Sequence, residues 1–201
     1  MEGASDAALL EPWLRRMFPA HTWVVHPHQG KGRLRENFRD APDPRRQGLL
    51  DQLPAKLRAW QRTLRPDAER VVILVDADEE DCASLKRRIR AMWRACCPAL
   101  PEAICIAVKE IEAFYLGEPA AIQRAFPGAN LRLLRDHDEE EAGGTWELFQ
   151  RVIGADYEAK VAWAAEMGSV LGLATRKSGS PSFRYFCSKV QAIAGETRAA
   201  R

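Results

Sequence analysis

The sequence predicts an α/β layer, with a mostly parallel sheet flanked by helices and a small helical portion toward the carboxyl end. Three observations carry this. Segments with three- and four-residue apolar spacing alternate with short, continuously apolar segments as far as residue 126. One of these, residues 71–78 (VVILVDAD), is apolar up to two aspartates, as expected of a buried strand. After Pro127 only helical spacing remains.

Residues 4–18 place Leu9, Leu10, Trp13, Leu14 and Met17 on one helical face. Ser5 serves as an N-cap, Asp6 suits the positive end of the macrodipole, and Pro19 stops the helix. Residues 22–28 (TWVVHPH) read as a strand whose end is marked by Pro27. Residues 30–46 are rich in Gly, Pro, Arg and Asp, lack apolar rhythm, and form a loop. Helical spacing returns over 47–64 through Leu49, Leu50, Leu53, Leu57 and Trp60, with Pro54 in the first turn or at a kink.

The strand at 70–75 is followed by a basic amphipathic helix over 79–97, whose first turn holds Glu79, Glu80 and Asp81. Residues 102–108 form the next strand, and short helices over 110–116 and 118–126 are split by Gly117. The acidic run 136–141 (DHDEEE) reads as a solvated loop. Helices are expected over 145–153, 157–171 and 182–193, with a loop at 179–181.

Composition narrows the function classes. Among 201 residues, 30 basic side chains nearly balance 28 acidic ones, so charge alone does not announce a nucleic-acid binder. Five cysteines without a CxxC pair argue for reduced, buried thiols and against a zinc site. His26 and His28 alternate in an extended segment and could share a face. No apolar run approaches a membrane span and no signal peptide opens the sequence, so a cytoplasmic protein is expected.

In a parallel α/β sheet, ligands collect beyond the carboxyl ends of the strands. Asp76 and Asp78 stand at such an end and, two residues apart in extended chain, project to one side. Paired carboxylates repel unless a cation neutralises them, and a hard divalent ion such as Mg²⁺ suits oxygen ligands. Glu110 and Glu112 follow the next strand and are candidates to complete that shell. The segment HQGKG lacks the spacing of a Walker loop, yet Lys31 and Arg33 are candidates for phosphate contact. So are Lys86 and Arg87, on a helix face that also carries Arg88, Arg90 and Arg94.

Glu2-Gly3-Ala4-Ser5-Asp6 resembles the EGxSD opening of Toprim domains, in which a glutamate ends the first strand and a DxD pair ends a later one. Here the pair is Asp76 and Asp78. HPHQGKGRL, VVILVDADEEDC, KEIEAFYLGEP, GTWELFQRVIG and SPSFRYFC, in that order, resemble a family of bacterial Toprim-like proteins catalogued as a domain of unknown function. The resemblance implies a Toprim-like α/β domain over residues 1–127 and a helical extension over 128–201 packed on it. In the resembling proteins a hydrophobic strand precedes the glutamate. Here Met1 directly precedes Glu2, so that first strand is expected to be missing and the true start to lie upstream.

The resemblance further implies Mg²⁺ or Mn²⁺ and phosphodiester chemistry on DNA or RNA. Glu2 would be the general acid/base or a metal ligand, Asp76 and Asp78 metal ligands, and Glu110 or Glu112 accessory ligands. Tyr115, Tyr157 and Tyr185 lie in apolar helical contexts, so hydrolysis by water is expected rather than attack by a tyrosine. Relatives sit beside ABC- or SMC-like ATPase genes in a setting that suggests phage defence. The alternative reading is a non-catalytic subunit that binds such an ATPase, with SPSFRYFC as a partner surface. A primase-type nucleotidyltransferase is disfavoured, since no zinc module is present. A homo-oligomer is compatible with all of these.

Overall fold

A computed structural model describes residues 1–134, 144–155 and 159–199. The acidic run at 136–141 and Tyr157 lie outside the described residues. The α/β expectation holds in its coarse form. Helices α1 (Ala4–Met17) and α2 (Leu49–Thr63) precede strand β1 (Ile73–Asp76). Then come α3 (Cys82–Cys96), strand β2 (Ile104–Ala107), α4 (Ala113–Leu116) and α5 (Pro119–Ala125). Helices α6 (Thr145–Ile153), α7 (Lys160–Val170) and α8 (Pro181–Ala199) complete the order.

Among the described residues the sheet has two strands, paired parallel with Ile73 opposite Ile104 and Asp76 opposite Ala107. The strand expected over 22–28 is a correction. That segment has no regular secondary structure and joins no ladder among the described residues. Alternating apolar residues suit a strand, but a strand exists only where a neighbour accepts its backbone bonds. Here the carbonyl of His26 meets the Met1 amino group at 3.3 Å, and no strand lies beside it.

Strand alternation divides the core into two layers. Leu74, Cys105 and Ala107 face one apolar cluster, built with Leu9, Leu10 and Trp13 of α1 and Phe183 and Phe186 of α8. Ile73, Val75, Ile104 and Ile106 face the other, built with Leu50, Leu53 and Leu57 of α2 and Leu85 and Ile89 of α3. The first cluster is continuous across residue 127. Phe183 lies 4.9 Å from the ring of Phe114 and 5.5 Å from that of Trp13. SPSFRYFC, which suits a packed core helix better than a partner surface, sits inside for the most part: Phe183 and Phe186 are buried, and Tyr185 is exposed.

Helix α1 packs closely on α7 because Gly168 lacks a side chain. A Cβ there would lie 2.2 Å from the Leu9 carbonyl oxygen. Arg16 ties the end of α7 to α1 by donating to the carbonyls of Gly168 and Leu171, both at 3.1 Å. The helix expected from residue 79 begins instead at Cys82, because the Asp81 carboxylate accepts the Ser84 N–H at 2.8 Å and caps it. All five cysteines are free. Burial pushes the Cys105 and Cys187 thiols up to about 12, which keeps them protonated and inert. Among the described residues no helix is long and apolar enough to cross a membrane.

Candidate functional site

The site forms where the carboxyl end of β1 meets the start of α1. Glu2 is held by its backbone and its side chain alike. Its N–H donates to the Asp6 carboxylate at 3.0 Å, and its carbonyl accepts the Gly30 N–H at 2.9 Å. Its carboxylate Oε1 accepts the Asp76 N–H at 2.9 Å, which joins residues 74 positions apart. Asp6 also accepts the Gly3 N–H at 3.1 Å, so it caps α1 from within the first turn. Gly3, not Ser5, is the N-cap residue.

The carboxylates here repel one another. Burial, then the Asp78 and Asp6 charges, push the Glu2 carboxyl up to about 7, against a pull downward from the Asp76 N–H and Lys31. Asp76 is raised well above the usual carboxylate range, first by burial and then by Glu2, Asp6, Glu112 and Asp78. Asp78 turns the other way. Its backbone has a positive φ of 50°, and its N–H donates to the Lys109 carbonyl at 2.8 Å, which ties the ends of the two strands together.

Lys31 supplies a cation against the strand tip. The carbonyls of Gly30 and Lys31 accept the Leu49 and Leu50 N–H groups at 2.8 and 2.7 Å. These bonds satisfy the start of α2 and fix the loop. Gly32 completes the approach: its φ is +66°, and a Cβ would lie 2.2 Å from Asp51 Oδ2. From this base Lys31 Nζ donates to Asp78 Oδ2 and the Ala77 carbonyl, both at 3.0 Å, and pairs with Glu80 at 2.9 Å. Desolvation pulls its pKa down, but the hydrogen bonds it donates to Glu80 and Asp78 outweigh it and the pKa rises.

The other candidates are spread apart. Glu110 accepts the Thr145 hydroxyl at 2.9 Å and the Trp146 N–H at 3.0 Å, so it caps α6. Glu112 is buried and pairs with Lys160 of α7 at 2.8 Å, although its charge still reaches Asp76. Arg33 and Arg87 are exposed. Lys86 donates to the Tyr185 hydroxyl and lies 4.2 Å above its ring, while Arg88 and Arg90 pair with Glu80 and Glu102. The helix face expected to track a phosphate backbone is thus partly neutralised by its own surface. His28 engages both ring nitrogens, with Met1 O at 2.8 Å and Lys56 Nζ at 2.7 Å, and the His26 ring packs at a 45° tilt against Trp60. The two histidines do not share a ligand face.

Sequence reasoning missed Asp6 as part of the acidic field, Glu80 as the second partner of Lys31, and the Glu112–Lys160 pair. Only the first two had a signal, their nearness in sequence to Glu2 and Asp78. Tyr115 is buried among these acids, with its hydroxyl unpartnered among the described residues.

Hard oxygen donors with raised pKa values are the chemistry that a divalent cation relieves. The donor types at Glu2, Asp76 and Asp78 fit such an ion. No three acidic, histidine or cysteine side chains among the described residues already converge on one point. Asp78, drawn toward Lys31, is the one that would have to turn.

The raised Glu2 pKa has a stability consequence. The folded state holds its proton up to about 7, whereas the ordinary value is 4.5. The stability this contributes is therefore complete below 4.5 and is lost as pH rises through about 7. Glu2→Gln keeps an oxygen for the Asp76 N–H and removes the charge. It is expected to stabilise the fold on the order of 2 kcal/mol at about pH 8, discounted for partial exposure, and to do nothing at about pH 4. Urea unfolding at both pH values measures this, and equal effects at the two would refute the assignment.

No curated protein and no solved structure matches the chain. A family model does, over residues 1–191. The chain belongs to the family described as Domain of unknown function (DUF4276).

Proposed function

We propose that this chain is a Toprim-like nuclease, dependent on Mg²⁺ or Mn²⁺, that hydrolyses a phosphodiester bond in DNA or RNA. The observation that carries the reading is the meeting of Glu2 and Asp76, 74 residues apart, at the carboxyl end of the parallel sheet. Glu2, Asp76 and Asp78 would hold the ion. When bound, it would offset charge on the phosphoryl oxygens and favour a hydroxide-like water. If Glu2 does not itself ligate the ion, its carboxyl would be the general acid/base that exchanges a proton with that water or with the leaving oxygen. Lys31, already placed to balance Asp78 and Glu80, is the nearest group to meet a phosphate.

Incubation of DNA and of tRNA with Mg²⁺ or Mn²⁺ tests the reading. Cleavage that stops when the ion is chelated is expected. No cleavage of either substrate with either ion would reject it. Calorimetric titration with Mn²⁺ tests the ion site separately, and Asp78→Ala should weaken binding by about tenfold or more. Lys31→Met should do the opposite. It frees Asp78 and removes a positive charge from the site, so Mn²⁺ binding should tighten severalfold while cleavage falls. Looser Mn²⁺ binding in Lys31→Met would show that the lysine does not compete for Asp78.

A further inference from the structure

Helix α8 carries Tyr185 and Lys189 one turn apart on its surface, and both are exposed. Lys86 of α3 reaches the same ring. Its Nζ lies 4.2 Å from the centre of the Tyr185 ring, and that of Lys189 lies 5.7 Å from it. The electron-rich face of the ring attracts both ammoniums and gathers like charges that would otherwise part. Burial raises the pKa of the Cys105 thiol in β2, and the Lys86 and Lys189 charges both pull it back. The two lysines thus sit together where α3 and α8 both pack on β2.

What this cluster lacks is an acceptor. Lys86 donates to the Tyr185 oxygen. An ammonium can only donate, so the hydrogen of the phenol itself points away from Lys86. Neither lysine has a carboxylate within 4.0 Å among the described residues. The acids around α3 are engaged elsewhere, Glu80 with Lys31 and Arg88, and Glu102 with Arg90. Three donors, two of them charged, therefore gather with no oxygen to receive them. An anion with several oxygens satisfies such a set, and lysine suits a phosphate as a point charge. The position adds to this. Helix α3 starts four residues after Asp78, and Lys86 stands one turn further along, roughly 6 Å of helix rise. A nucleic-acid strand spans that distance in a few nucleotides.

We propose that Lys86, Tyr185 and Lys189 form a phosphate anchor, which holds the backbone of a nucleic-acid strand to one side of the tip of β1. That a nucleic acid supplies the phosphate rests on the reading of Glu2 and Asp76 as a nuclease site. The anchor positions the substrate and reads no sequence, because it touches the backbone alone.

The test measures binding of a labelled single strand, as DNA and as RNA, with a chelator present so that no cleavage intervenes. Anisotropy is read from about 50 to 200 mM salt. Inorganic phosphate is titrated in parallel, with amide chemical shifts as the readout. The double change Lys86→Met with Lys189→Met is expected to weaken strand binding about tenfold or more at the low-salt end. It should also reduce the slope of log affinity against log salt by about 1. Tyr185→Phe keeps the ring that holds the lysines and removes the hydroxyl. It is expected to weaken binding severalfold with the slope unchanged, since the lost donor is neutral. Unchanged affinity and slope in the double variant overturn the proposal, as does a parent chain that binds neither strand. So does a double variant that loses inorganic phosphate yet binds both strands like the parent, because the anion is then a small one. The nuclease reading fails separately. A chain that binds through the three residues and never cleaves with Mg²⁺ or Mn²⁺ rejects that reading and keeps the anchor, and one that cleaves but binds without them does the reverse.

Discussion

Asp76→Asn is expected to reduce cleavage at least about 100-fold while making the folded chain more stable at neutral pH. The two effects share one cause. Asp76 ends β1 half-buried, and its pKa is raised by desolvation and by four neighbouring acids. Its ionised form is therefore costly to the fold, a cost that a bound cation would offset. Asparagine has nearly the same shape, keeps the backbone N–H to Glu2 in place, and removes the charge. The linkage sign follows from the raised pKa: stability is highest at acid pH and falls as pH rises through the folded value. The gain from Asp76→Asn should therefore be largest in alkaline solution and vanish in acid. Cleavage assays and urea unfolding on one preparation check both halves. A variant that cleaves like the parent would remove Asp76 from the site, and one destabilised at every pH would show that its charge is a structural asset.

Lys160→Met is the substitution expected to harm the fold most. Glu112 is 1 % exposed and pairs with Lys160 at 2.8 Å. Lys160 also lies over the Trp146 ring, with its amine 4.5 Å from the centroid. Burial raises the Glu112 pKa, and the Lys160 charge and hydrogen bond pull it back. Removing the lysine leaves a buried carboxylate without its counter-charge, at a cost of about 3 kcal/mol at mildly alkaline pH. The cost should shrink as pH falls, because Glu112 can then take a proton. Thermal melts across pH would show this. A loss that does not vary with pH would mean that methionine disturbs packing on Trp146 and that the charge matters little. The double change Lys160→Met with Glu112→Gln should recover most of the loss.

The helices and the two paired strands were legible because each buries a stripe that repeats at its own period. Leu9, Leu10, Trp13 and Leu14 mark α1, and the apolar runs before Asp76 and Lys109 mark β1 and β2. Residues 22–28 also carry a short apolar run, yet form no ladder among the described residues, because pairing depends on a neighbour that local sequence does not contain. The site divides in the same way. The expectation that Asp76 and Asp78 project to one side did not allow for the positive φ of Asp78 and its pairing with Lys31, neither of which local sequence contains.

Glu110 and Glu112 looked equivalent in sequence, and their fates were decided by elements far along the chain. Helix α6 offered N–H and hydroxyl donors to one, and α7 offered an ammonium to the other. Lys31 was visible as a cation near a glycine-rich turn, but its target was not. The start of α2 and the glycine contact at Gly32 aim it at Asp78. By itself, then, the sequence determined the α/β class and the strand that carries Asp76, because periodicity is local. Only the tertiary structure decided which acid meets which cation, how far burial raises each pKa, and which lysines gather on Tyr185. Those depend on distances between residues far apart in the chain, and on how completely the packed layers exclude water.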